Sequence, residues 1–229
     1  MLQFPTRLFA ATKRNMSNSH PKISISISTS SPTLSKSGNQ PFTITLSASV
    51  ANTPKSVTID TFHTVLYQRS LALDYQGLTF KDTSSGELAE RRVIDVQYRV
   101  PGSLTETSDS VAEIPPLKDG SDAYIVQHTF QTPASSDISG HDEGERATSV
   151  IPEMGDFAKD LMRTMADQTA GLEVGRTYEI GLGTDMNRIS WWRAGTKAEV
   201  FARGPVSRRV NGPSIEMQLV KTATFTVVE

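Results

Sequence analysis

The stretch Pro41-Phe42-Thr43-Ile44-Thr45-Leu46-Ser47-Ala48-Ser49-Val50 alternates apolar and hydroxyl side chains without a break. Successive side chains of a strand point to opposite faces, so this period places Phe42, Ile44, Leu46, Ala48 and Val50 on one face, with threonines and serines on the other. That is a strand with one side in a core. Upstream, Ile23, Ile25 and Ile27 alternate with Ser24, Ser26 and Ser28 and predict a second strand of the same kind, separated from the first by a loop over 29–40 carrying Pro32 and Gly38.

Working outward, residues 57–66 are rich in β-branched and aromatic side chains (Val57, Thr58, Ile59, Phe62, Val65) and predict a third strand. Further strands are expected at 78–80, 93–100, 124–130, 189–192 and 215–228. The connection 101–122, with Pro101, Gly102, Pro115, Pro116 and Gly120, is expected to cross from one sheet to the other. The one helix candidate lies at 156–168, where Phe157, Leu161 and Met165 recur at helical spacing beside Met154, Ala158 and Met162. Such a stripe is first of all the helix's core face, although methionines also line adaptable binding surfaces.

Composition narrows the function classes. The 229 residues are 37% hydrophobic and 21% charged, enough apolar material for a core. No apolar run approaches the ~18 residues of a spanning helix, so no integral membrane segment is expected. A net charge of −2 gives the chain no general attraction to phosphate backbones, and nucleic acid is not an expected partner. The absence of cysteine excludes a disulfide framework, thiolate catalysis and cysteine-ligated metal centres.

Charge is unevenly placed: Arg7, Lys13, Arg14, Lys22, Lys36 and Lys55 all precede the first acidic residue, Asp60. The opening MLQFPTRLFAATKRN is basic, acid-free and followed by serines, the composition of a mitochondrial presequence. Pro5 interrupts the amphipathic helix that a presequence needs. A disordered tail, or an extension upstream of a start at Met16, fits the same residues. The division expected is therefore 1–21 as a disordered or targeting extension and 22–229 as a single β-sandwich domain. A cytoplasmic location is the expectation, or a mitochondrial one if residues 1–15 act as a presequence.

The segment LEVGRTYEIGLG (172–183) and the closing TATFTVVE (222–229) resemble the tyrosine corner and final strands of immunoglobulin-like and fibronectin-III-like domains. PFTITLSASV looks like an early core strand of the same class, and the chain from Met16 onward resembles a group of small proteins of filamentous fungi, a likeness that implies no activity. The resemblance implies an all-β, immunoglobulin-like β-sandwich with one short helix near 156–168. It also implies that the Tyr178 hydroxyl bonds back to upstream backbone. Two departures speak against an antibody-like role: there is no cysteine pair, and the tryptophans follow the tyrosine corner rather than sitting in an early strand.

Candidate sites are few. His20, His63, His128 and His141 show no metal-ligand spacing; His128, between Tyr124 and Phe130, reads as a structural histidine, and His63 alternates with Ile59 and Val65 in the same way. The acidic loop 140–145 offers oxygens to a hard cation without the spacing of an EF-hand, and reads first as a solvated loop. No nucleophile elbow or phosphate-binding glycine loop is present, so no cofactor is expected. The most unusual cluster is Ser190-Trp191-Trp192-Arg193. On a strand the two indoles point to opposite faces, so at most one lies in the core there and the other is covered or exposed; beside arginine, an exposed Trp is a binding anchor. The basic loop 203–209 reads as solvated, with anion binding as its alternative.

These features favour a binding or protein-interaction module with Trp191, Trp192 and Arg193 at its contact surface, taking a protein or small-molecule ligand. The alternative is a cofactor-free isomerase, cyclase or hydrolase using His63, His128 and a carboxylate such as Asp60 or Asp95. A third possibility is a scaffold that pairs through 22–28 as a sheet edge.

Overall fold

The computed structural model of the chain describes residues 20–38, 40–68, 71–74, 76–91, 102–117, 123–130, 168–209 and 212–229. The alternating stretch forms β3 (Thr43–Ala51), which pairs antiparallel with β1 (Lys22–Thr29) from Lys22↔Ala51 to Thr29↔Ile44. Its other edge carries β8 (Tyr124–Thr129), again antiparallel. Beyond β1 lie β13 (Ile215–Lys221), parallel to it, and the two-residue β10 (Arg188–Ile189). The order of this first sheet is β10-β13-β1-β3-β8. Strand β1 is thus interior, which removes 22–28 as a pairing edge.

A second sheet has the order β2-β14-β9-β5, built from β2 (Thr33–Ser35), β14 (Thr224–Val228), β9 (Thr177–Leu182) and β5 (Leu78–Asp82). The inward residues of both sheets merge into one buried cluster: Ile23, Ile25, Ile27, Ile44, Leu46 and Val126 from the first, Leu34, Leu78, Phe80, Ile180, Phe225 and Val227 from the second. Aromatic rings bind the two halves. Phe42 and Phe130, flanking β3 and β8, meet Phe225 and Phe80 of the opposite sheet at ring-centroid distances of 5.0 and 5.7 Å. Each such ring contributes roughly 1.5–3 kcal/mol through burial.

Residues 215–228, expected as one strand, divide between the sheets. β13 serves the first and β14 the second, with the crossing at Thr222 and Ala223. The pairing of β1 with β13 slips by one residue between Ile25 and Ser26, skipping Val220. A bulge leaves its extra residue unpaired and bends the strand; Val220 is accordingly 62% exposed, two residues before the crossing.

The other expectations are met unevenly. Strand β4 (Val57–Asp60) stops short of residue 66 because the chain then turns, His63 adopting a left-handed φ of 58°. The connection 101–122 contains β6 (Ser103–Leu104) and β7 (Val111–Ile114), so it is itself part of a sheet. Residues 189–192 split into β10 and β11 (Trp192–Ala194), leaving Trp191 between them. The strand expected at 93–100 and nearly all of the helix at 156–168 lie outside the described residues. The helices that are described are short: α1 (Leu71–Asp74) and α2 (Lys197–Phe201), the latter started by a capping box between Thr196 and Glu199.

The chain enters β9 through a corner. Gly171 has a φ of 85°, and a side chain there would place its Cβ 1.8 Å from the Glu90 carbonyl oxygen, so only glycine fits. Two residues on, the backbone N–H of Glu173 donates to the Tyr178 hydroxyl at 2.9 Å, the upstream backbone contact that the sequence led us to expect. Tyr178 is itself 3% exposed and packs on Phe225. Tyr178→Phe keeps the ring and loses the bond, and is expected to lower stability by about 1 kcal/mol in urea denaturation with an unchanged slope.

Candidate functional site

Three connections between strands of the main sheets converge at one end of the fold. The link from β3 to β5 carries β4, that from β5 to β8 carries β6 and β7, and that from β9 to β14 carries β10, β11, α2, β12 (Val206–Ser207) and β13. They pair with one another: β4 lies between β11 and β7, and β6 pairs with β12. All of them leave or enter the main strands together, since Ala48 near the end of β3 faces Tyr124 at the start of β8, and Leu182 at the end of β9 faces Leu78 at the start of β5.

This annex has a small core of its own, formed by Leu104, Val111, Trp191 and Phe201. Trp191 is its hub. Its indole is 2% exposed, stacks on Phe201 at 6.4 Å and 21°, and donates its Nε1–H to the Ser207 carbonyl at 3.1 Å. The Arg193 guanidinium lies over the same ring, 5.4 Å from its centroid, and donates from Nη1 to the Trp192 carbonyl at 2.9 Å. Trp192, the first residue of β11, packs on the other cluster. It is half-buried against the main core, with Nε1–H on the Pro213 carbonyl at 3.0 Å and the His20 ring edge-on at 6.4 Å. Neither tryptophan is fully exposed; Arg193 is half-exposed.

A polar link that the sequence reading missed joins all three connections. Asp60 at the end of β4 meets Arg208 just past β12, Oδ2 to Nε at 2.7 Å, and Arg208 Nη2 donates to the Ser110 hydroxyl at 2.8 Å beside β7. The Phe62 amide donates to Asp60 Oδ1 at 3.2 Å, while the Phe62 ring lies 5.4 Å below the Arg208 guanidinium. The loop 203–209 is therefore not wholly solvated, since one of its arginines turns inward. No local pattern could have announced a pair so distant in sequence. The capping box at Thr196, by contrast, was readable from its spacing alone.

The residues of the enzyme alternative are not brought together among the described residues. His63 is exposed and meets the Phe62 ring edge to face at 4.2 Å. His128 is 1% exposed and directs Nε2 at the Val65 carbonyl, 2.8 Å away. A carbonyl only accepts, so Nε2 carries the proton and the buried Nδ1 is left without a partner. Asp60 belongs to the Arg208 pair, and Asp95, His141 and the acidic loop 140–145 lie outside the described residues. Among the described residues there is no cluster of three or more His, Asp or Glu side chains fit for a metal ion, and no helix is long and apolar enough to cross a membrane. An open trough of about 550 Å³ is lined by Asp82, Glu87, Glu90 and Glu173, with Arg176 paired to Asp82 across it at 3.2 Å. The Ser84 hydroxyl and amide hold the Asp82 carboxyl below its ordinary range, with Arg176 adding to the effect.

Comparison with protein-family models, with curated proteins and with solved structures finds no match.

Two predictions follow from the buried polar groups. Asp60→Asn strands the Arg208 charge and is expected to cost about 3 kcal/mol, with partial recovery in Asp60→Asn/Arg208→Met, both read by urea denaturation. Burial holds the His128 imidazole below its ordinary 6.5, against the opposing bond to Val65. The unfolded chain therefore takes up a proton near pH ~6.5 that the native protein does not. Stability from this residue is full above that pH and falls as the pH drops toward the folded-state value. Comparing urea midpoints at about pH 7.5 and about pH 5.5 should show the loss, reduced in His128→Gln, which retains an N–H for the Val65 carbonyl.

Proposed function

We propose that the protein is a non-enzymatic binding or protein-interaction module of immunoglobulin-like sandwich architecture, with its contact surface on the annex around Trp191, Trp192 and Arg193. The observation that carries this reading is the gathering of three connections between main-sheet strands into one small sheet-and-helix annex built on the Trp191 indole. In immunoglobulin variable domains, the loops clustered at one end of the sandwich are the ligand-contacting ones.

Strand order supports the architecture. β1-β3-β8 facing β14-β9-β5 corresponds to strands A, B and E against G, F and C. The Tyr178 bond to Glu173 falls at the start of the strand equivalent to F. The insertion of β13 beside β1 is a departure from that plan. The enzyme alternative draws no comparable support, because its histidines and Asp60 are each engaged elsewhere.

The test is the emission of Trp192 in a Trp191→Phe variant that retains native circular dichroism. It is recorded with iodide quenching against metabolites, glycans and peptides of varied charge. The reading expects one ligand class to shift the emission and protect the indole; emission unmoved by every class would remove this surface from consideration.

A further inference from the structure

The annex differs from the rest of the chain in charge. Residues 188–209 hold six basic side chains (Arg188, Arg193, Lys197, Arg203, Arg208 and Arg209) and one acidic side chain, Glu199, within a protein of net charge −2. Arg208 is neutralised by Asp60. Arg188 stands opposite Glu216 in the β10–β13 ladder. Among the described residues, Arg193, Lys197, Arg203 and Arg209 make no ion pair.

The Trp191 hub joins the segments that carry the three arginines. Arg193 lies on the indole face, Phe201 stacks on the ring, and the Ser207 carbonyl takes its N–H. Arg203 and Arg209 each follow one of those contact residues by two positions, a reach of at most about 7 Å along the backbone, and both are exposed. The carboxylates of neighbouring elements are largely occupied. Glu199 accepts from the Thr196 amide at 2.8 Å, and Glu113 from the Lys197 amide at 3.0 Å. Asp109 also has a partner. Glu106, two residues past the Leu104 that pairs with Val206, is the remaining acid that register brings close. Arg193 is also held in place, its guanidinium stacked on one side and anchored by a single N–H, with its other N–H groups bonded to no protein acceptor among the described residues.

We propose that Arg193, Arg203 and Arg209 form a recognition site for an acidic, carboxylate-rich protein segment. This rests on the module reading above and names the partner's chemistry. A planar guanidinium binds a carboxylate through two parallel N–H bonds, and one already oriented on an indole loses less freedom in doing so. A nucleic acid fits less well, since three arginines on a net-negative chain offer no long basic track for a continuous phosphate backbone.

The experiment is a fluorescence-anisotropy titration of the full chain with a fluorescein-labelled oligo-glutamate peptide at low salt. The expected result is saturable binding that weakens as salt rises. Binding should fall about tenfold or more in Arg203→Gln/Arg209→Gln, exposed positions whose loss leaves the fold intact, and should be unchanged in Lys81→Gln on β5. The proposal is overturned by an absence of binding, by equal binding in the arginine variant, or by tighter binding to a single-stranded DNA oligonucleotide or to phosphatidylserine vesicles. If oligo-glutamate fails while another ligand class shifts the Trp192 emission, the partner chemistry is wrong and the surface stands; failure of both removes the surface as well.

Discussion

The last strand cannot stay in one sheet, and most of the architecture depends on that constraint. At Thr222 and Ala223 the chain leaves β1 and takes up β9 as its partner. The Ile180 amide donates to the Ala223 carbonyl at 2.9 Å, and the Thr222 hydroxyl donates to the Ile180 carbonyl. One segment thereby completes both hydrogen-bonding ladders and fixes how far apart the two inner faces lie. The rings of Phe42, Phe80, Phe130 and Phe225 fill that distance. The bulge at Val220 is the local cost of turning the strand.

How much of this could be read in the sequence follows from which faces are buried. β1, β3, β8 and β9 bury one face each, so their alternation is plain and their positions were legible, as was the Tyr178 contact. β4 buries Val57, Thr58, Ile59 and Asp60 alike, and a strand enclosed on both faces shows no period of two. β6, β10 and β12 are two residues long, too short to carry any pattern. The break between Ile189 and Trp192 was hidden because nothing local distinguishes a strand that continues from one that changes partner. The parallel pairing of β1 with β13 joins distant parts of the chain, which periodicity does not report.

The site was legible in part for the same reason. The pair Trp191-Trp192 stood out as a local oddity, and the rule that neighbouring strand residues face opposite ways anticipated their separation into two clusters. What the sequence withheld was the role of Trp191 as a packing hub, which depends on Phe201 and Ser207 arriving from a helix and a strand further along. It also withheld the inward turn of Arg208. A basic loop looks uniformly solvated until a partner such as Asp60 is found for one of its arginines.

The interior place of β1 has a consequence for synthesis. Its partner on one side, β3, is the next strand of the same sheet to be made, but the partner on its other side, β13, follows only after β8 and β10. Until then β1 presents an uncovered row of backbone donors and acceptors, and the sheet remains open. Pairings this distant in sequence make folding slow, because the entropy of closing the loop is spent before the contacts form. From the synthesis of β1 to that of β13 the nascent chain therefore carries a hydrophobic, pairing-competent strand edge, a state in which association with other chains competes with completion of the fold.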